Sequence, residues 1–393
     1  MSNQSTTLAI ATAKEMCLDA WKNQMITSVS PFYNKIKKVY TPSKDFKTAA
    51  PIGQVGGYAS TGEDGALPTA GALGYIPFSG SVKNIMVPIR ITDKAIEASK
   101  NAAGSLVGNL FVNEVENAFS TAKINLSRAI VAGNGTGILA TVTDNEGSTT
   151  VTASNHRFLD LGMTIDVYAT NGTLIGTRRI KALTRNADGT GTLVVDATID
   201  TAAATSYITI QKSLNNEITG VDALFNSSVT SYMGLTKEDH PEIVPITVSA
   251  ANDITNSKIR KIITESDNYH GGETDMILCG DDAFAAYSDF LDVMKIPMQT
   301  TELVGGFTAI KFLHGNRTID VVCEKFITPT DMIGVNTKDF EEMYLTDWGY
   351  MEQEDSGRLE RVPGYDYYET VIRKYAELVC KKPGACWKLT NCA

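Results

Sequence analysis

The side chains of this 393-residue sequence that could act as acids, bases, nucleophiles or metal ligands are few and scattered. His156, His240, His270 and His314 stand far apart, each near Gly, Pro, Asn or Arg in a loop-like context. A hydroxyl or thiol nucleophile needs an adjacent base to activate it, and nothing along the chain sets the two together. Adjacent acids occur at Asp281-Asp282 and Glu341-Glu342. The first pair falls where a helix begins, and negative charge there complements the exposed N–H groups of the first turn. The cysteines are Cys17, Cys279, Cys323, Cys380, Cys386 and Cys392. The last three are six residues apart, not the two to four of zinc knuckles, and no histidine follows His314. Cys279 and Cys323 lie in apolar stretches, where a thiol serves as a small core group.

Two loops invite a ligand and do not fit one. Gly133-Asn134-Gly135-Thr136-Gly137 has the glycines of a dinucleotide loop. It follows a helical pattern and precedes a β-rich one, whereas that fingerprint needs strand, loop, helix. Asn186-Ala187-Asp188-Gly189-Thr190 lacks the closing bidentate Glu of a calcium loop and reads as a hairpin turn. No catalytic residue, metal ligand or cofactor-binding residue is assigned, no cofactor is expected, and the chain is read as a non-enzyme.

Composition narrows the classes further. The hydrophobic share of 43% and charged share of 20% describe a folded protein with room for two or three cores. A net charge of −10 would repel a polyphosphate, so direct nucleic-acid recognition is disfavoured, although an acidic container wall is not. No apolar run reaches membrane-spanning length, and Met1–Lys14 has no signal-peptide apolar core, which predicts a soluble protein made in a cytoplasm.

The elements that would position these residues are easier to read. Residues 1–46 carry a short amphipathic piece around Met16–Ile26 and a basic cluster, Lys35, Lys37 and Lys38, read as a solvated face or a contact with a neighbour's acids. From Thr48 to Val82 there are eight glycines and no Lys or Arg, the only charges being Glu63 and Asp64. Glycine loses the most backbone freedom on ordering, so such an arm needs support from outside its own subunit. Ile85, Val87, Ile89 and Ile91 alternate as in a strand, which predicts a long β-hairpin reaching onto a neighbour.

A helix from about Ser105 to Ala132 follows, with a shorter segment opening at Thr92-Asp93. Val107, Phe111, Val115, Phe119, Ala122, Leu126 and Ile130 form one apolar stripe, and Gly133-Asn134-Gly135 ends it. The absence of a sustained heptad favours a helix laid across a sheet over a coiled coil. From Ile138 to about Gln211, Thr, Val, Asp and Gly dominate. Hairpin signals at Asn171-Gly172 and Asp188-Gly189 separate Asp166–Ala169 from Thr173–Thr177 and Arg179–Thr184 from Leu193–Asp196, which implies a small inserted sandwich or barrel.

A mixed region follows. Helices are expected at Thr255–Tyr269 and Asp281–Lys295, with strands at Met276–Cys279, Thr308–Phe312 and Thr318–Cys323 and an exposed loop at Pro297–Phe307. Tyr365–Val379 fits a helix or a long strand, and periodicity does not decide between them.

This order of parts resembles the major capsid protein of tailed bacteriophages, the Hong Kong 97-type fold. The residues that carry it are the arm Ala49–Gly80, the strand Ile85–Ile91, the helix Ser105–Ala132 with its glycine stop, Thr274–Phe284, and the ending Tyr365–Glu369 through Lys382-Pro383-Gly384-Ala385. The resemblance implies an α+β fold with an N-terminal arm (1–46), extended β-hairpin loop (47–91), peripheral domain with spine helix (92–137), inserted all-β domain (138–212), axial domain (213–335) and a return to the peripheral domain (336–393). It makes Tyr365–Val379 a strand.

It further implies homo-hexamers and homo-pentamers of an icosahedral shell assembled in the host cytoplasm. Scaffold, portal and decoration proteins would be partners, and double-stranded DNA would be enclosed without sequence-specific contact. Gly56, Gly57, Tyr58, Glu63, Asp64, Leu67, Tyr75 and Phe78 are the expected inter-subunit contacts. Val107, Phe111, Val115, Phe119, Leu126 and Ile130 are the expected spine packing. Some relatives weld their shells by a Lys–Asn bond from the loop tip, but no lysine stands there in this chain. An encapsulin-like compartment and a hydrolase without a recognisable motif remain as alternatives.

Overall fold

The computed structural model describes residues 30–52, 56–94, 110–144, 149–186, 188–199, 205–294, 300–303, 308–351 and 360–393. The Met16–Ile26 piece, Cys17, Val107 and the side chain of Phe111 lie outside them, as does the helix start expected near Ser105. Two compact units divide the chain, one from residues 1–127 with 224–393 and the other Arg128–Ala223.

In the first unit, Pro31 opens a short helix α1 (Pro31–Lys35) that leads into strand β1 (Lys37–Tyr40). Strands β2 (Asp45–Ile52) and β3 (Gly74–Ser81) pair antiparallel from Asp45 opposite Ser81 to Ile52 opposite Gly74. Beyond them the two arms stay together, because the Gly71 N–H donates to the Gly56 carbonyl at 3.2 Å. A Cβ on Gly71 would sit 2.5 Å from the Gly56 Cα, so this neck admits no side chain. Strand β4 (Lys83–Thr92) and the 23-residue helix α2 (Leu110–Ala132) follow, the helix about 35 Å long.

The second unit is a closed six-stranded barrel. Its strands are β5 (Ile138–Asp144), β6 (Thr150–Ala153), β7 (Thr164–Tyr168), β8 (Leu174–Arg185), β9 (Gly191–Val195) and β10 (Tyr207–Ile210), closed in the order β10-β5-β6-β9-β8-β7. Leu139, Val142, Val151, Ile165, Leu193 and Ile208 fill it. The sequence split Thr173–Thr177 from Arg179–Thr184, but β8 is one strand. Its first half pairs with β7 and its second with β9, with a register shift between Ile180 and Ala182. That irregularity turns the strand from one partner to the next and lets the sheet close. Entry and exit are tied by backbone bonds, Asn215 N–H to Thr136 at 2.8 Å, Gly220 N–H to Gly133 at 2.9 Å and Val221 N–H to Ile130 at 2.9 Å.

The remainder of the first unit holds a small hairpin, β11 (Ser231–Tyr232) with β12 (Leu235–Thr236), and two sheets. The larger sheet contains β13 (Ile246–Ser249), β14 (Met276–Cys279), β15 (Thr300–Glu302), β16 (Thr308–His314), β17 (Arg317–Cys323), β18 (Met332–Val335) and, from the chain end, β22 (Trp387–Thr390). Its order is β13-β22-β18-β14-β17-β16-β15. Helices α3 (Asn256–His270) and α4 (Asp281–Val293) bury Ile259, Ile262, Ile263, Ala283, Tyr287 and Leu291 against its Ile277, Ile310, Phe312, Ile319 and Val321. Within the expected loop Pro297–Phe307, Thr300–Glu302 is instead a strand paired with Thr308–Ile310, since an edge strand needs only one partner and three residues.

The second sheet joins distant parts of the chain. Strand β19 (Phe340–Tyr350) pairs antiparallel with β21 (Tyr367–Cys380), the short β20 (Glu360–Arg361) and β4 also pair with β21, and β1 runs parallel to β19. The ambiguous stretch near the C-terminus is thus the central strand of this sheet. Helix α2 lies across it, with Val115 and Phe119 packed on Ile89, Ile91, Tyr350 and Ile372.

Candidate assembly surfaces

The hairpin leaves its tip without cover. Beyond the Gly56–Gly71 neck the chain turns at Gly62-Glu63-Asp64-Gly65, closed by the Gly65 N–H to Gly62 carbonyl bond at 3.0 Å. Gly56, Gly57, Glu63 and Asp64 are exposed, Tyr58 is 92% exposed, Leu67 89% and Tyr75 64%. Phe78 departs from the expected contacts, being buried at 1% exposure together with Phe46 and Ile76. Alternation along a strand tells which residues share a face, not which chain covers that face. The base of the hairpin is held within the chain, with the Ser79 N–H donating to the Met233 carbonyl at 2.9 Å, while the tip side chains stay exposed.

On α2, Val115, Phe119, Leu126 and Ile130 are buried, while Ile124 off the stripe is half exposed. The stripe of the sequence is therefore the buried face wherever its side chains are described.

A charged cluster missed by sequence reading fixes residues 30–40. The Tyr33 hydroxyl donates to Glu342 Oε2 at 2.6 Å. Lys374, fully buried, reaches Glu342 Oε1 at 2.6 Å, Asp347 Oδ1 at 3.1 Å and the Tyr33 oxygen at 3.2 Å. Burial first, then the Glu342 charge, pushes the Tyr33 hydroxyl well above its ordinary pKa, so it serves as a neutral donor. Lys38 stands 3.8 Å from Glu342, Lys37 4.0 Å and Lys381 2.7 Å from Glu341, and Lys35 with Lys311 clasps Asp320 at 2.8 and 3.2 Å. Ser30 donates to the buried Glu324. The Lys35, Lys37 and Lys38 cluster thus meets acids of its own chain, correcting the expectation of a solvated face or a neighbour. Spacing could not show this, because the partners lie about three hundred residues away: the Tyr33–Glu342 bond spans 309.

The residues first considered for chemistry have local partners. His156 Nδ1 lies 2.9 Å from the Gly189 carbonyl, His240 pairs with Glu242 at 2.9 Å, and His314 stands 3.9 Å from Asp267. Burial lowers His270 and His314. Asp188 accepts from the Thr190 N–H at 3.0 Å and its hydroxyl at 2.7 Å, a turn bond rather than a ligand geometry. Burial pushes the Cys279 and Cys380 thiols well up and Cys392 to about 12, which leaves them protonated and unreactive. Cys323 is less buried than a core thiol and donates to Asp281 Oδ1 at 3.1 Å. Among the described residues no three His, Cys, Asp or Glu side chains gather as a metal site, and no helix is long and apolar enough to cross a membrane.

No protein-family model matches the chain, and no curated protein sequence matches it. Solved structures do. The capsid subunit of cyanophage A-1(L) superposes with a TM-score of 0.53 at 12% identity, over 93% of this chain and 94% of that one. The holo-SrpI encapsulin of Synechococcus elongatus PCC 7942 aligns at 0.49 and 9% identity, over 93% and 88%, and the capsid of a native GTA particle at 0.48 and 8%, over 92% and 90%. The strand-dominated α+β fold is that of a phage capsid subunit, matched nearly end to end.

Proposed function

We propose that this chain is the structural subunit of an icosahedral phage shell that encloses double-stranded DNA. The exposed hairpin tip carries the reading, supported by the near full-length likeness to the cyanophage capsid subunit. A narrow glycine neck bearing Tyr58 and Leu67 in solvent has no role in an isolated monomer. It gains one when a second copy covers it.

In this reading residues 47–91 are the extended loop, α2 the spine, the β1, β4, β19 and β21 sheet the peripheral domain, the seven-stranded sheet the axial domain and the barrel the insertion. Hexamers and pentamers of the chain would form the wall, assisted by scaffold and portal proteins and able to accept decoration proteins. The acidic chain, at net −10, would line a DNA container without gripping its cargo. No reaction is required of any residue.

Electron microscopy of the purified protein tests this. Closed shells large enough for a genome, DNA-filled when taken from lysed host cells, are expected. Small shells filled with enzyme would favour the compartment alternative, and a monodisperse monomer would sink both.

A further inference from the structure

The face of the second sheet turned away from α2 holds an arginine that no carboxylate among the described residues pairs with. Alternation puts Thr92, Arg90, Pro88, Met86 and Asn84 of β4 on this face, opposite Tyr367, Glu369, Val371, Arg373 and Tyr375 of β21. Arg90 is satisfied, 4.2 Å above the Tyr367 ring and 3.4 Å from Glu369. Arg373 has only the Tyr375 ring, 5.6 Å away, and its Nε is buried without a hydrogen-bond partner. No carboxylate reaches it among the described residues. Arg373 is half-buried, and a guanidinium nitrogen kept from water without an acceptor is costly, which favours an acceptor brought from outside.

The space beside it is shaped for one. Across the sheet from Arg373 stands Gly349 on β19, where an added Cβ would meet nothing nearer than the Asp347 carbonyl at 3.8 Å. On the other side is Met86, 45% exposed. The result is a shallow recess floored by glycine backbone and flanked by Arg, Tyr and Met, residue types concentrated in the centres of protein interfaces.

We propose that this recess is a carboxylate-binding pocket for the Glu63-Asp64 turn of a second copy of the chain, with Arg373 as its anchor and Met86 as an apolar contact for Leu67 or Tyr58. Charge complementarity selects the occupant. Glu63 and Asp64 are the only charges between Thr48 and Val82, they sit at an exposed turn, and exposed apolar side chains flank them. The inference rests on the reading of a self-assembling shell and specifies which atoms would meet. A planar guanidinium takes a carboxylate through two parallel N–H donors, which fixes orientation as well as affinity.

The test compares the native chain with Arg373→Glu, Arg373→Gln, the pair Glu63→Lys with Asp64→Lys, and the combination of Arg373→Glu with that pair. Sedimentation velocity gives the fraction in particles, and thermal melting of the unassembled subunit confirms the fold. Each reversal should raise the concentration needed for assembly about tenfold or more, since truncating one partner of a desolvated pair acts on association directly. The combination should recover most of the loss, which a misfolded variant could not do.

Reversals that assemble like the native chain, or a combination no better than either parent, would overturn the pocket. So would a Glu352→Gln, Glu354→Gln, Asp355→Asn variant that reproduces the loss while Glu63→Lys with Asp64→Lys does not, because the acceptor would then be the chain's own acidic segment. If the native chain forms no particles, the shell reading fails separately. A peptide of residues 57–70 then decides the pocket, by binding the native chain and not Arg373→Gln, or by binding both or neither.

Discussion

The barrel of residues 138–210 and the hairpin of residues 45–81 are both made of short antiparallel strands, yet they treat strand edges in opposite ways. The barrel pairs its first strand with its last, buries thirteen apolar residues inside and ties its entry to its exit by three backbone bonds. No edge is left to offer a neighbour. Among the described residues the hairpin has two strands, apolar cover at its base and solvent at its tip. A two-stranded ribbon is marginal in water, and in the proposed shell a neighbouring copy would hold its far end in place. On the proposed reading, the same local grammar produces one part that is complete in a single chain and one that is not.

Removing the incomplete part should have the largest effect. A chain lacking residues 57–70 is expected to stay soluble and to form no closed particles, as read by ultracentrifugation and electron microscopy. Normal particles from that deletion would erase the distinction between the two regions.

The next effect concerns the clamp that presents the hairpin from a firm base. Lys374→Met leaves Glu342 buried without its closest cation and should cost about 3–5 kcal/mol in unfolding free energy. Tyr33→Phe removes the bond donated to Glu342 and the weaker one accepted from Lys374, and should cost about 1.5–3 kcal/mol. Denaturant titration of the unassembled subunit measures both. The barrel core, followed by hydrogen exchange, should lose little in either variant. Equal loss in both units would mean that they unfold as one.

Acid should act more mildly on the same clamp. Burial raises the Asp320 carboxyl, but hydrogen bonds and charge from Lys35 and Lys311 outweigh it and hold the group low. At Asp347 burial is likewise outweighed, by Lys374, the Trp348 N–H and Lys38. A carboxyl held low in the folded state contributes stability above its unfolded pKa and loses it as the pH falls through the folded one. Asp339, raised chiefly by burial, works the other way and offsets part of the loss. Protection of the β1 amides, taken relative to their intrinsic exchange rates, should therefore fall below about pH 4, and Asp320→Asn should flatten that dependence. Unchanged protection down to pH 2 would remove these pairs from the clamp.

The smallest effect is expected from the complete part. Replacing residues 138–212 by a short Gly-Ser linker should leave capsomers and particles in place, because the chain enters and leaves the barrel at adjacent points. Loss of all particles from a well-folded replacement would show that the closed barrel still serves its neighbours.

What the sequence disclosed follows the same division. The α2 stripe Val115, Phe119, Leu126 and Ile130 was legible because one face of a helix is buried at a fixed period. The turns at Asn171-Gly172 and Asp188-Gly189 were legible because glycine takes the positive φ both positions show. The continuity of β8 was not, since a bend between two partners looks like a break in a linear pattern. Burial of Phe78 and the meeting of Tyr33 with Glu342 and Lys374 depend on residues far off in the chain, which no local period encodes. Arg373 was silent for the same reason: that no described carboxylate meets it appears only when its neighbours across the sheet are known.

The central claim is that the hairpin is finished by another copy of the chain and the barrel is not. Cryo-electron microscopy of native particles, at a resolution that traces the chain from Asp45 to Ser81, tests it most directly. The account predicts that density beyond the Gly56–Gly71 neck runs onto an adjacent subunit, while every strand of the barrel pairs within its own chain. Density that folds the tip back onto its own subunit, or barrel strands exchanged between subunits, would contradict it.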